Sequence, residues 1–149
     1  MEPADRVQLE RDVEAFCQEV RPVEELCYLE HRFNKEAIEL ARKYNLLGIP
    51  VAEEFGGRGA DLAAYLAALV RIGREGSGLR TLFSGHTSIG QYPIARFGSP
   101  DQQRKYLQPS SHGEKILAFG LTEPDAGSNP LEMQSTYRRE GDHYCLNGI

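Results

Sequence analysis

Residues 119–129 combine side chains and a backbone pattern suited to a phosphorylated cofactor. The hydroxyls of Thr122 and Ser128 can donate hydrogen bonds to carbonyl or phosphate oxygens, and Gly127 lets the backbone approach a ligand closely. Successive N–H groups of such a loop can also form an anion-binding nest without basic side chains. The segment predicts contacts to a flat, hydrogen-bonding cofactor, and a capped polar turn is the alternative that the same residue types allow.

Two other groups of residues invite a chemical role but fit a simpler one. The stretch Gly56-Gly57-x-Gly59 lacks the preceding strand and the spacing of a phosphate loop, so it predicts a tight turn into the next helix. The adjacent carboxylates of Glu53 and Glu54 diverge in most backbone geometries. A solvated turn is therefore favoured over a paired acid and base.

The sequence predicts no metal site. The cysteines are three in number and lack C-x-x-C or Cys/His spacing, which predicts reduced thiols. Three of the four histidines, which are His31, His112 and His143, share no spacing typical of metal ligands. His86, the fourth, precedes a predicted helix and is interpreted as a cap or a packing residue.

The first part of the chain is predicted to be mainly helical. Apolar residues recur at about 3.6-residue spacing over residues 6–20, and Pro22 is expected to end that helix. A second helix is predicted after a cap at Asn34, with Phe33 and Ile38 spaced as a hydrophobic staple. Gly48 is its expected left-handed stop.

Three further helices are predicted after residue 60. Residues 61–74 predict a helix capped by Asp61, whereas the glycines between residues 73 and 85 predict irregular structure. A helix is expected over 88–97, with Pro93 starting it, kinking it or lying in its first turn. Ser99, followed by proline and then by Gln102, predicts the start of a short helix through Leu107.

The pattern changes to β-structure after Gly113. Residues 116–121 predict a buried strand, and residues 133–139 and 144–146 predict two strands joined by a turn at Gly141-Asp142. Two or three strands make an incomplete sheet. We therefore expect a helical domain over residues 1–113 and the start of a truncated β-domain over residues 114–149.

Composition and charge exclude several classes of protein. The 149 residues include 17 Lys and Arg against 22 Asp and Glu, giving a net charge of -5. No apolar run approaches the roughly 20 residues of a membrane span, and the scattered basic residues argue against nonspecific nucleic-acid binding. The acidic first residues fit neither a secretory signal nor a transit peptide, so a cytoplasmic protein is expected.

The sequence resembles the acyl-CoA dehydrogenase family. The resemblance is carried by four stretches in the family's order and by a following hairpin, over about residues 35–149. These are Pro50-x-x-Glu53-Glu54-Phe55-Gly56-Gly57-x-Gly59; His86-x-Ser88-Ile89-Gly90 with Pro93-Ile94; Gly98-Ser99-x-x-Gln102-Gln103-Arg104-x-Tyr106-Leu107; Leu121-Thr122-Glu123-Pro124-x-Ala126-Gly127-Ser128; and Gly141-Asp142-x-Tyr144-x-Leu146-Asn147-Gly148. The implied fold is mainly α: the family's N-terminal helical bundle, followed by the first strands of an incomplete β-barrel domain.

The resemblance implies that this chain contributes to sites for FAD and acyl-CoA. Phe119, Leu121 and Thr122 would lie along the isoalloxazine ring, with the Thr122 hydroxyl on its polar edge. Gly127 and Ser128 would approach the ribityl-phosphate end, and Ser128 would also meet the CoA part of the substrate. Glu123 would brace this loop. Asn129 stands where many family members carry Asp, which changes how the loop is fixed.

The implied activity is the FAD-dependent oxidation of an acyl-CoA thioester to the 2,3-enoyl-CoA. The family's catalytic base is a Glu of the C-terminal domain, expected beyond Ile149, so no catalytic residue is assigned here and this chain alone is expected to be inactive. Electron-transfer flavoprotein is the implied electron acceptor. A homotetramer is the implied assembly of the full-length protein.

Substrate choice and two rival functions stay open. Arg80 lies in a stretch that resembles the glutaryl-CoA dehydrogenases, in which Arg holds the distal carboxylate, but Gly73 replaces that subgroup's nearby acidic residue. A solvated or ion-paired loop residue is the alternative for Arg80. The rivals for the whole chain are a non-catalytic acyl-CoA-binding or assembly module and a related flavin oxidase or monooxygenase.

Overall fold

The computed structural model describes residues 2–148 and divides into two compact units, Met1–Ala118 and Phe119–Ile149. The first unit contains six α-helices and a π-helix: α1 Pro3–Leu29, α2 Glu36–Lys43, α3 Leu62–Gly73, α4 Ser77–Ser84, the π-helix Gly85–Gln91, α5 Tyr92–Phe97 and α6 Pro100–Ser111. It also holds a 3-10 turn, Glu53–Phe55. The second unit contains the 3-10 turn Pro130–Glu132 and the strands β1 Thr136–Glu140 and β2 His143–Asn147. The mainly helical fold class is thus confirmed.

The core of the first unit lies between α1, α2, α3 and α4. Phe16 of α1 meets Phe83 of α4 edge to face, with ring centroids 5.5 Å apart, and both rings are fully buried. The predicted apolar face of α1 is confirmed by its buried residues from Leu9 to Val20, whereas Val7 near the start of the helix is exposed. The expected end at Pro22 is wrong, since α1 continues to Leu29. The missing proline N–H removes one helical hydrogen bond, and the extra turns bury Cys27.

Three predicted caps are present. The Asn34 Oδ1 accepts a 2.9 Å hydrogen bond from the backbone N–H of Ala37, and Asp61 caps α3 in the same way through Ala64. Ser99 and Gln102 form a reciprocal capping box on α6, which extends to Ser111, past the predicted end. These caps are local signals, because each acts over three residues.

The end of α2 and its expected staple differ from the prediction. Phe33 stays exposed, so it adds little to a staple with Ile38. Asn45, with φ of 50°, is the left-handed residue after α2, and the predicted Gly48 is not. The N–H of Leu46 reaches back to the Ala41 carbonyl at 2.9 Å, which closes the helix end before Gly48 is reached.

The glycine-rich segment expected to be irregular is instead helical. Leu79 and Phe83, four residues apart on α4, are both buried, and this packing outweighs the low helix propensity of the glycines around them. The chain then passes through the π-helix into α5. Pro93 lies in the first turn of α5, one of the three predicted positions, where its missing N–H costs least.

The β-structure is a single hairpin. β1 and β2 pair antiparallel with Glu140 opposite His143, joined by the predicted Gly141-Asp142 turn. The strand predicted at 116–121 is absent, because no segment within residues 2–148 pairs with it and an unpaired strand has no ladder. Within residues 2–148, no helix is both long enough and apolar enough to cross a membrane.

Candidate functional site

The signature loop, residues 119–129, is organised around a tight turn in the second unit. The backbone N–H of Glu123 donates to the Ala126 carbonyl at 2.9 Å, and the N–H of Ala126 donates back at 3.2 Å. Pro124 and Asp125 form the tip of this turn. Ala126 is almost fully buried, whereas its neighbours in the loop are exposed. The turn is thus fixed by the buried Ala126 side chain, and the residues beside it are accessible.

The Glu123 carboxylate fixes the loop to the segment that enters β1. Its two oxygens accept hydrogen bonds from the backbone N–H groups of Gln134, at 2.7 Å, and Ser135, at 3.1 Å. Hydrogen bonding from the Ser135 side chain and from these backbone amides lowers the pKa of Glu123. An ionised carboxylate held by donors is a brace and a poor proton acceptor. Glu123 therefore has the structural role expected of it.

Asn129 fixes the other end of the loop without a carboxylate. Its Oδ1 accepts a 3.2 Å hydrogen bond from the N–H of Leu131, and its Nδ2 donates to Glu132 Oε1 at 2.9 Å. An aspartate at this position could accept the first bond but would repel Glu132. The Asn at position 129 is thus matched to the acidic residue three positions later.

The predicted flavin-contacting groups share an accessible stretch. Phe119 is 55% exposed and Leu121 37% exposed, so both offer apolar surface. The hydroxyls of Thr122 and Ser128 make no hydrogen bond to other groups within residues 2–148, and a side chain at Gly127 would meet open space. The loop therefore presents donors, an apolar strip and an unobstructed backbone to a ligand.

Arg80 lies on α4 of the first unit, so its expected place in a loop is wrong. Its side chain is exposed, and its Nη1 lies 3.3 Å from the Ser84 hydroxyl oxygen. It pairs with no carboxylate within residues 2–148. A side chain added at Gly73 would lie against the Arg80 stem, with the new Cβ 3.3 Å from Cγ. The guanidinium is therefore available to a ligand.

The remaining sequence candidates fall into structural roles. Glu53 and Glu54 are exposed in a 3-10 turn, and Gly56 and Gly59 have positive φ angles, as a tight turn requires. His86 is buried. Its Nε2 lies 3.1 Å from the Ser110 carbonyl oxygen, and its Nδ1 accepts a 3.0 Å hydrogen bond from the N–H of Leu117.

One cluster was missed by the sequence analysis. Glu140, His143 and Cys145 bring ligand-type atoms within 4.8 Å of one another at the hairpin end. The strand register, which pairs Glu140 with His143, is the only signal that could have shown it. The Cys145 thiol donates to Glu140 at 3.1 Å, which raises the pKa of Cys145, and Arg138 pairs with the same carboxylate at 2.6 Å. The Glu140 carboxylate is thus already engaged by two neighbouring side chains.

Several known proteins are similar to this chain in sequence and fold. The family model for the acyl-CoA dehydrogenase N-terminal domain matches residues 3–114. A short-chain specific acyl-CoA dehydrogenase of Clostridium acetobutylicum is 37% identical over 130 residues, which is 87% of this chain and 34% of that protein. Two solved structures each cover 99% of this chain with a TM-score of 0.84.

One is a glutaryl-CoA dehydrogenase from Mycobacterium smegmatis, 30% identical, of which 38% is covered. The other is an acyl-CoA dehydrogenase complexed with FAD from Bacillus anthracis, 32% identical, of which 26% is covered. The chain thus spans about a third of the length of the curated relative from Clostridium. The family model covers most of the chain, and the chain belongs to the acyl-CoA dehydrogenase family.

Proposed function

We propose that this chain supplies flavin and acyl-CoA contacts to an FAD-dependent enzyme that oxidises an acyl-CoA thioester to the 2,3-enoyl-CoA. The observation that carries the proposal is the signature loop: Glu123 braces it, and the Thr122 and Ser128 hydroxyls find no hydrogen-bond partner among residues 2–148. Unpaired donors beside exposed apolar side chains suit a planar ligand with a polar edge.

The residues present fit a flavin. Phe119 and Leu121 offer apolar surface to the ring, and the Thr122 hydroxyl can donate to its polar edge. Gly127 and Ser128 offer backbone N–H groups and open space to the ribityl-phosphate end, and Ser128 can also contact CoA. When bound, FAD supplies the acceptor for the hydride that leaves the substrate. A hydrogen bond at the polar edge stabilises the negative charge that arrives with it.

We propose that the other parts of the activity lie outside the described residues. We propose that the catalytic base is a Glu in a C-terminal domain beyond Ile149, so that this chain alone does not catalyse the oxidation. Electron-transfer flavoprotein as the acceptor, a tetramer of the full-length protein and a cytoplasmic location belong to the same proposal. The acceptor and the tetramer are supported by family membership.

Arg80 supports a finer proposal on the substrate. Its exposed guanidinium, which pairs with no carboxylate among residues 2–148, can hold the distal carboxylate of a dicarboxyl-CoA such as glutaryl-CoA, because Arg binds carboxylates through a two-pronged fork. The similarity to a glutaryl-CoA dehydrogenase supports this choice. The similarity to a short-chain specific enzyme supports an unsubstituted acyl chain instead. Substrate tests separate the two.

The test uses the longest native polypeptide that contains this chain, loaded with FAD without oxygen. Butyryl-CoA and glutaryl-CoA are added separately, and the visible flavin absorption is followed. We expect bleaching with at least one of them and slow recovery in air. Binding of acyl-CoA without flavin would instead support the non-catalytic module. Fast recovery in air would support the oxidase or monooxygenase.

A further inference from the structure

Two residues of the π-helix Gly85–Gln91, His86 and Gly90, contact the same residue, Leu117. A π-helix carries wider turns than an α-helix and often occurs at functional sites. Here the Thr87 hydroxyl donates to the Phe83 carbonyl at 2.8 Å and also meets the Tyr65 hydroxyl. His86 and Gly90, on either side of Thr87, are buried and both face Leu117.

The His86 ring links three segments of the first unit. Because a backbone N–H can only donate, Nδ1 must be the acceptor for Leu117, and the ring proton lies on Nε2, where it donates to Ser110. One neutral imidazole thus joins the π-helix to the end of α6 and to the segment that leaves the helical unit. Both partners are neutral backbone groups.

Gly90 also fixes Leu117, by close packing. A Cβ built on Gly90 would lie 2.7 Å from the Leu117 Cβ, a distance that requires one of the two segments to move. Leu117 is half-buried, whereas Ile116 and Ala118 beside it are exposed. Leu117 is therefore the point at which this segment is fixed, by one hydrogen bond and one tight contact.

We propose that His86 and Gly90 are positioning residues for the flavin-contacting segment, acting through Leu117. Phe119 follows Leu117 by two residues, and consecutive Cα atoms are about 3.8 Å apart, so a fixed Leu117 limits where Phe119 can lie. This inference rests on the proposed flavin site. It adds that these two residues of the helical unit influence the affinity for the cofactor through Leu117.

The test compares four variants. His86→Leu removes both hydrogen bonds, whereas His86→Asn keeps an acceptor close to the position of Nδ1. Gly90→Ala displaces Leu117 without touching His86. Gly85→Ala is the matched control, since it lies in the same π-helix and its new methyl group meets nothing within 4 Å.

Two measurements are made on each variant. Amide hydrogen exchange of Leu117 is followed in this chain, and the dissociation constant for FAD is measured in the longest native polypeptide that contains it. We expect His86→Leu and Gly90→Ala to speed exchange about tenfold and weaken FAD binding about tenfold. His86→Asn should recover part of both, and Gly85→Ala should stay within about twofold.

The outcomes separate the two proposals. Faster exchange with unchanged FAD affinity would overturn the positioning role and leave the flavin site standing. Unchanged exchange in both His86→Leu and Gly90→Ala would overturn the fixing of Leu117 itself. Failure of the unsubstituted polypeptide to bind FAD would overturn the proposed function, and this inference with it.

Discussion

The Glu123 carboxylate accepts a 2.7 Å hydrogen bond from the backbone N–H of Gln134, which ties the signature loop to the entry of the hairpin. The second carboxylate oxygen holds Ser135, so one side chain fixes two successive amides. This contact explains how an exposed loop can keep a defined shape before any ligand binds. It also makes the loop sensitive to the charge at position 123.

The first prediction concerns this brace. Glu123→Gln should speed hydrogen exchange at the Gln134 and Ser135 amides, because a neutral amide accepts more weakly and must turn its NH₂ group away. Asp125→Asn changes the same charge at the turn tip, where no hydrogen bond to the carboxylate forms within residues 2–148, and should leave both amides unchanged. Equal exchange in the two variants would contradict the brace.

The brace also predicts a pH dependence. Because the pKa of Glu123 is lowered on folding, its stabilising contribution is complete above the ordinary carboxyl value of 4.5 and is lost as the pH falls through the folded value. NMR titration of the Glu123 carboxyl carbon, beside the Gln134 amide signal, follows both partners. Protonation at or above 4.5 would show that the brace is absent in solution.

Thr122→Val tests the polar edge of the proposed flavin site. The substitution keeps the shape of the side chain and removes the hydroxyl, so FAD affinity or the flavin reduction rate should fall about tenfold, which corresponds to one lost hydrogen bond of about 1.4 kcal/mol. Thr136→Val on exposed β1 is the matched control. Circular dichroism should show both variants folded. Unchanged affinity and reduction rate in Thr122→Val would remove its assigned role.

Arg80→Gln tests the substrate class. If the guanidinium holds a distal carboxylate, kcat/KM for glutaryl-CoA should fall roughly 10- to 100-fold, in line with about 1.5–3 kcal/mol for a charged hydrogen bond, while butyryl-CoA is oxidised as before. Arg96→Gln, an exposed arginine on α5, is the control. An equal loss for both substrates would show that Arg80 does not read a carboxylate.

Phe16→Ala tests the core of the helical unit. The ring is fully buried against Phe83, so its removal should lower the free energy of unfolding by about 3–5 kcal/mol. Phe97→Ala deletes a ring that is 81% exposed and should change it by less than about 0.5 kcal/mol. Urea unfolding of the three proteins measures both effects, and similar losses in the two variants would contradict this assignment of the core.

His86 predicts a second dependence of stability on pH. Burial lowers the pKa of His86 below 6.5, and the hydrogen bond to the Ser110 carbonyl opposes part of that shift. Below about pH 6.5 the unfolded chain therefore binds the proton first, and the contribution of His86 to stability falls as the pH falls toward the folded value. Urea unfolding at about pH 8 and pH 5.5 should show a steeper loss for the native chain than for His86→Asn. Equal losses would contradict a neutral, buried His86.

Local signals were sufficient for part of this structure. The caps at Asn34, Asp61 and Ser99 and the Gly141-Asp142 turn were predicted correctly, because each depends on residues within three or four positions. The continuation of α1 through Pro22 and the helical character of α4 were not predicted. Both depend on side chains that become buried only when distant helices pack.

For the candidate site, too, local patterns indicated some features and missed those that depend on distant contacts. Residue types and the family resemblance indicated the hydroxyls and the glycine of the signature loop. The partners of Glu123 are backbone amides, which carry no mark in the residue types at positions 134 and 135. The contact of His86 with Leu117 joins residues 31 positions apart through a π-helix, a form that no local pattern specified.

The measurement that tests the central claim most directly is the visible absorption spectrum of this chain with added FAD, beside that of the longest native polypeptide that contains it. Both are desalted before the spectra are taken. We predict that the longest native polypeptide retains flavin and that the chain alone, which by our proposal holds only part of the site, retains little. Retention by neither protein, with both folded by circular dichroism, would contradict the account.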